Sequence, residues 1–91
     1  MKQDQSLQNR TALSPYKNAI SRYIRSTMAL KNKRYDDLVA DLEQLGIYLN
    51  AENLRSKVSK GMFSADLLIA IAEALNMEDA ALLEIIKLAH D

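Results

Sequence analysis

The stretch from Tyr35 to Gly61 most constrains what this chain can fold into. It reads YDDLVADLEQLG, then IYLN, then AENLRSKVSKG. Leu38, Leu42 and Leu45 recur every three to four residues, which predicts a helix with one apolar stripe. Asp36 and Asp37 fall in its first turn, where the helix dipole favours acids. Gly46 is a natural left-handed stop. Ile47, Tyr48 and Leu49 form an apolar connection expected to pack under the domain. Asn50 then caps a second, short helix, with Glu52 in its first turn and Gly61 at its end. At about 100° per residue, Leu54 and Val58 define the inward face of that helix. Asn53, Ser56 and Lys60 then point outward, with Glu52 and Ser59 beside them and Arg55 and Lys57 on the flanks. A short helix buried on one side and carrying Asn, Ser and Lys on the other suits presentation to a DNA groove.

The flanking segments complete an all-α reading. Residues 1–13 are polar and aperiodic, and read as a flexible, disordered arm. Ser14-Pro15 marks a helix start, with Ser as N-cap and Pro at the first helical position. That helix is expected to run to about Lys31, with Ile20, Tyr23, Ile24, Thr27 and Leu30 on one side and Arg22 and Arg25 opposite. It closes on Lys31-Asn32-Lys33-Arg34, and cations at a helix C-terminus are favourable by roughly 0.3–1 kcal/mol each. Ser64 caps a fourth helix with Asp66 in its first turn. Leu67, Leu68, Ile69, Ala70, Ile71, Ala72, Ala74 and Leu75 make it apolar nearly all round, the pattern of a buried helix and the expected hub of the core. Asn76 is its left-handed stop. A fifth helix is expected from about Glu78 to Ala89, with one face packed on the fourth. Its surplus of apolar residues makes Leu82, Leu83, Ile86 and Leu88 a candidate homodimer interface, unless they cover the first helix within the monomer. The domain expectation is an arm over 1–13 and one compact five-helix domain over 14–91.

Composition narrows the function. Ninety-one residues form one small domain, and 48% hydrophobic residues suffice for a core. The formal net charge is zero, but its distribution is not uniform. Residues 1–35 carry eight Lys/Arg against one acid; residues 36–54 carry five acids and no base. Residues 55–60 add three cations, and residues 61–91 hold six acids against Lys87 alone. Clustered sign matters more than net charge for meeting a polyanion. Cysteine is absent, so there is neither a disulfide framework nor a thiolate metal site, which fits a reducing cytoplasm. The N-terminus lacks the apolar core of a secretory signal, and the longest apolar run, Leu67 to Ala72, is too short to span a bilayer, so no membrane role is expected. No enzyme is expected: the sole histidine is His90, seven serines have no partner base, and Gly46 and Gly61 are the only glycines, too few for a phosphate loop. Asp37 and Asp41 share a helix face but have no evident cleft. No metal or cofactor is expected. RNA recognition would call for stacking aromatics, of which there are four Tyr and one Phe; Phe63 reads as a core plug under the fourth helix.

YDDLVADL, NLRSKVSKG and SADLLIAIAEALNM together resemble the second, third and fourth helices of the λ-repressor/Cro-type (XRE-like) helix-turn-helix family, over roughly residues 22–88. Val58 three before Gly61 matches the end of that family's recognition helix, and ALLEII its closing helix. The chain also resembles a group of small bacterial proteins sharing YDDL…NLRxKxxKGxFSA. It departs from the helix-turn-helix pattern in a longer turn, LGIYLN, in Tyr35 where a Gln often opens the second helix, and in Leu54 lying four rather than three before Val58. The resemblance implies a sequence-specific transcriptional regulator, a repressor of a small phage- or plasmid-type operon, acting as a dimer on double-stranded DNA in the cytoplasm. It implies that the helix Ala51–Lys60 enters the major groove, with Asn53, Arg55, Ser56, Lys57 and Lys60 as base contacts. Lys31, Lys33, Arg34, Tyr35 and Ser59 would contact phosphate. The alternative is a protein-interaction module on the same fold, such as an antirepressor, an antitoxin-like partner or an inhibitor of a host complex.

Overall fold

The computed structural model describes residues 2–76 and 81–90. It is all-helical there: α1 is Lys2–Leu30, α2 Tyr35–Gln44, α3 Ala51–Lys60, α4 Ala65–Ala74 and α5 Ala81–Ala89, with no strand among the described residues. The expected start of the last helix at Glu78 lies outside the described residues.

The helix ends follow local chemistry. Asn32, Gly46, Gly61 and Asn76 all take positive φ, of 57°, 82°, 63° and 54°, and so close α1 to α4 in turn. After Gly46 the Ile47 N–H reaches back to the Leu42 carbonyl at 3.0 Å; after Gly61 the Met62 N–H reaches the Lys57 carbonyl at 3.2 Å. Both satisfy carbonyls that a helix end leaves orphaned. The Asn50 side chain accepts from the Asn53 N–H at 2.7 Å, as an N-cap should. Ser64 sits at the expected N-cap of α4, yet its side chain makes no capping bond. Asp66 takes that role: a hydrogen bond from Ser64 and one from the Leu67 N–H, at 2.9 Å, hold its carboxyl below the usual 3.8.

The first helix corrects the sequence reading. It begins at Lys2, not at Ser14, and Pro15 lies inside it. Proline removes one backbone bond from a helix interior, leaving the carbonyl four residues before it without its partner. Residues 5–16 are all exposed, so water can serve the freed carbonyl. Leu, Gln, Arg and Ala in this segment are good helix formers, and a packed helix already nucleated at 17–30 can propagate through them. Absence of apolar periodicity therefore signalled a helix without a core-facing stripe, not an irregular arm.

Ile24, Met28, Leu38, Leu42, Leu54, Val58, Ile71 and Leu75 form one buried cluster drawn from α1 to α4. α1 packs on α3 and α5, and α2 on α3 and α4. Leu38 and Leu42 are buried as the stripe predicts, while Leu45 and Leu30 face solvent. Ile47 and Leu49 pack on the core, but Tyr48 points out, 76% exposed. Phe63 packs partly against the cluster.

The fourth helix is not the hub its composition suggests. Ile71 and Leu75 are buried, but Leu67 and Leu68 are only half-buried and Ile69 is 68% exposed. A helix of ten residues in a domain this small has neighbours on one side only, so an all-round apolar sequence leaves an apolar outer face. The fifth helix differs likewise. It lies chiefly along α1, where His90 meets Tyr16 edge-on at 5.8 Å between ring centres. Between α4 and α5 runs an apolar groove of about 270 Å³ lined by Ala65, Leu68, Ile69, Ala72, Leu82 and Ile85. Of the dimer candidates, Leu82, Leu83 and Ile86 are exposed and Leu88 is half-buried. No helix of the described residues is long and apolar enough to cross a membrane.

Candidate nucleic-acid interface

Helix α3 is positioned by its two apolar residues. Leu54 and Val58 are completely buried, while Glu52, Asn53, Arg55, Ser56, Ser59 and Lys60 are exposed. Burying a side chain of this size contributes about 1.5–3 kcal/mol, so the inward face of α3 is firmly set. The register expected from sequence therefore holds. Lys57 is half-buried on one flank and shares a shallow concavity with Asn53, Ser56, Lys60 and Met62. On the outward side Glu52, Asn53, Arg55, Ser56, Ser59 and Lys60 line another. Ser59 thus stands with the outward-facing group, and its carbonyl accepts from the Ser21 hydroxyl of α1 at 3.5 Å.

The C-terminal end of α3 is fixed by a close approach. A Cβ on Gly61 would overlap the Lys17 carbonyl, whose carbon would stand 2.7 Å away. Only glycine lets α1 and the end of α3 meet at this distance.

The four residues expected at the entry of α2 do not act alike. Lys31 donates to the Asn76 carbonyl at 3.3 Å, tying the end of α1 to the end of α4. Lys33 pairs with Asp41 at 2.8 Å, so its charge is largely answered within the domain. The hydrogen bond to Asp41 raises the Lys33 pKa above its usual 10.5; the charges of Asp41 and Asp37 add to this and desolvation opposes it. A raised folded-state pKa stabilises the fold fully below 10.5, and that contribution is lost as pH climbs through the folded value. Wild type is therefore expected to lose thermal stability above that pH relative to Lys33→Met, as followed by circular dichroism. Parallel alkaline profiles would show the pair to be inert. Arg34 remains exposed at the N-cap of α2, where its N–H donates to Asp37 at 2.9 Å. Tyr35 is half-buried, and the Arg55 guanidinium lies over its ring at 5.2 Å from the centre, a cation–π contact.

These residues frame an open concavity of about 580 Å³, lined by Arg25, Met28, Ala29, Lys33, Arg34, Tyr35, Asp36 and Arg55. It joins the exposed face of α3 through Arg55, which lines both. Lys31 does not line it. Arg25 does, although the sequence alone places it only on the side of the first helix opposite the apolar residues. The available signal was its place on the side of α1 opposite the apolar stripe, but only the packing of α1 on α3 shows which neighbours that side meets.

The family model described as a domain of unknown function, DUF6471, matches residues 16–80, and the chain belongs to that family. The matched span takes in the second half of α1 with α2, α3 and α4, hence the whole of the basic concavity and the exposed face of α3. No curated protein and no solved structure matches the chain.

Proposed function

We propose that this protein binds double-stranded DNA, with α2 and α3 acting as a helix-turn-helix of the λ-repressor/Cro type and α3 lying in the major groove. The observation that carries the reading is the continuous polar face made by α3 and the concavity beside it. Asn53, Ser56, Lys57 and Lys60 lie where base edges would be read, with Arg55 at the junction. Arg34 and the Tyr35 hydroxyl stand beside the entry of α2, where a duplex backbone would run. Lys33 and Lys31, spent on Asp41 and Asn76, are the weaker phosphate contacts of the set.

In this reading the protein is a homodimeric cytoplasmic regulator, a repressor of a small phage- or plasmid-type operon, and Leu82, Leu83, Ile86 and Leu88 supply the subunit contact. A protein-interaction module is the second reading. It is favoured by the apolar outer surface of α4 and α5, where Ile69 and Leu82 are 68% and 73% exposed.

Titration against random-sequence duplex at two salt concentrations separates the two. Phosphate-dominated binding is expected to weaken by at least about tenfold between roughly 50 and 200 mM salt. Replacing Lys57 and Lys60 by Ala should weaken it further while leaving the helical circular dichroism unchanged. Absence of duplex binding at either salt would leave the protein-interaction reading in its place.

A further inference from the structure

We infer that the concavity between α1, the entry of α2 and the flank of α3 is a site for a phosphoryl group, with Arg25, Arg34 and Arg55 as its cations. In its physiological form the inference rests on the DNA-binding reading, where the group would be a phosphodiester of the duplex. A free phosphate or pyrophosphate carries the same chemistry.

The lining charges are unbalanced. Four cations and one acid, Asp36, surround the concavity. Lys33 is answered by Asp41 at 2.8 Å, which leaves three guanidinium groups against one carboxylate. None of the three forms an ion pair among the described residues. They come from separate parts of the chain: the C-terminal part of α1, the N-cap of α2 and the first half of α3. Like charges gathered by folding repel one another, and an anion between them turns that repulsion into attraction. The guanidinium fork suits a phosphoryl group in particular, because two parallel N–H groups meet two oxygens.

Arg55 is already positioned. Its guanidinium rests on the Tyr35 ring, which limits the side-chain freedom to be lost on binding and leaves the N–H edge available. Met28 and Ala29 supply apolar lining between the cations. Arg25 is the distinguishing residue. It belongs to neither helix of the α2–α3 pair, and a reader consisting of those two helices alone has no use for it.

The test uses the full-length protein and two probes. The first is inorganic pyrophosphate, followed by NMR at the arginine Nε–H groups. Shifts confined to Arg25, Arg34 and Arg55 are expected; shifts spread evenly over all arginines, or none, would overturn the site. The second is random-sequence duplex, with Arg25→Ala compared with Arg22→Ala. Both positions are exposed on α1, and alanine is a good helix former. Arg25→Ala should lower the slope of log affinity against log salt by about one and cost on the order of tenfold in affinity at low salt. Arg22→Ala should change neither. Equal effects of the two would mean a diffuse field and overturn the site while duplex binding stood. Pyrophosphate shifts at the three arginines without duplex binding would uphold the site and overturn the DNA reading.

Discussion

Gly61→Ala is expected to be the most damaging conservative substitution in the chain. Two costs combine there. The backbone has φ of 63°, which an L-residue other than glycine adopts at about 1–2 kcal/mol. The added methyl would also collide with the Lys17 carbonyl, a backbone group that cannot rotate away. Overpacking of this kind costs about 1–3 kcal/mol or more. Together the loss is about 2–5 kcal/mol, a large part of the roughly 5–15 kcal/mol that holds a small domain folded. The thermal midpoint should fall by roughly 10 °C or more. Gly46→Ala provides the comparison. Its φ is 82°, but nothing lies within 4 Å of the new methyl, so only the backbone cost applies. Thermal unfolding of the two variants, side by side, measures the difference. Equal midpoints would mean that α1 does not press against the end of α3.

The second large effect concerns α4. Ile71→Asp should unfold the protein, because Ile71 is wholly buried and the carboxylate would have no partner. Loss of apolar burial alone is worth about 1.5–3 kcal/mol, and the unpaired charge adds more. Ile69→Asp, two residues away on the exposed face, should stay within about 0.5 kcal/mol of wild type. Leu68→Asp, on the half-buried wall of the groove, should fall between them. A helix buried on all sides, as the composition of α4 suggests, would make all three equally damaging. Chemical denaturation of the three variants distinguishes the one-sided from the all-round arrangement.

The exposed face of α4 also bears on the protein-interaction reading. Ile69 and Leu82 border the same groove, and both sit outside the core cluster. Their exposure follows from geometry: α5 runs along α1 and does not close over α4. This surface lies apart from the residues that line the basic concavity, so DNA and a protein partner could be held at once.

What the sequence by itself determined is everything governed by neighbours within a turn or two. Gly46, Gly61 and Asn76 were legible as left-handed stops because few other residues tolerate positive φ. Asn50 was legible as a cap because its side chain reaches a backbone N–H three residues on. Leu54 and Val58 fixed the face of α3, and with it the outward set Asn53, Ser56 and Lys60, because helical period converts spacing into direction. The tertiary structure decided what depends on distant residues. It carried α1 through Pro15, since an exposed segment needs no apolar stripe once a packed helix has nucleated it. It laid α5 on α1 and so left one side of α4 bare. It spent Lys33 on Asp41 and Lys31 on Asn76, and it brought Arg25 beside Arg34 and Arg55. Those pairings join residues eight to forty-five positions apart, or in different helices, and no local periodicity encodes which charge meets which. The packing of α1 against α3, which Gly61 permits at Lys17, brings Arg25 near Arg55, and the meeting of α1's end with α2 and α4 sets the lysine pairings.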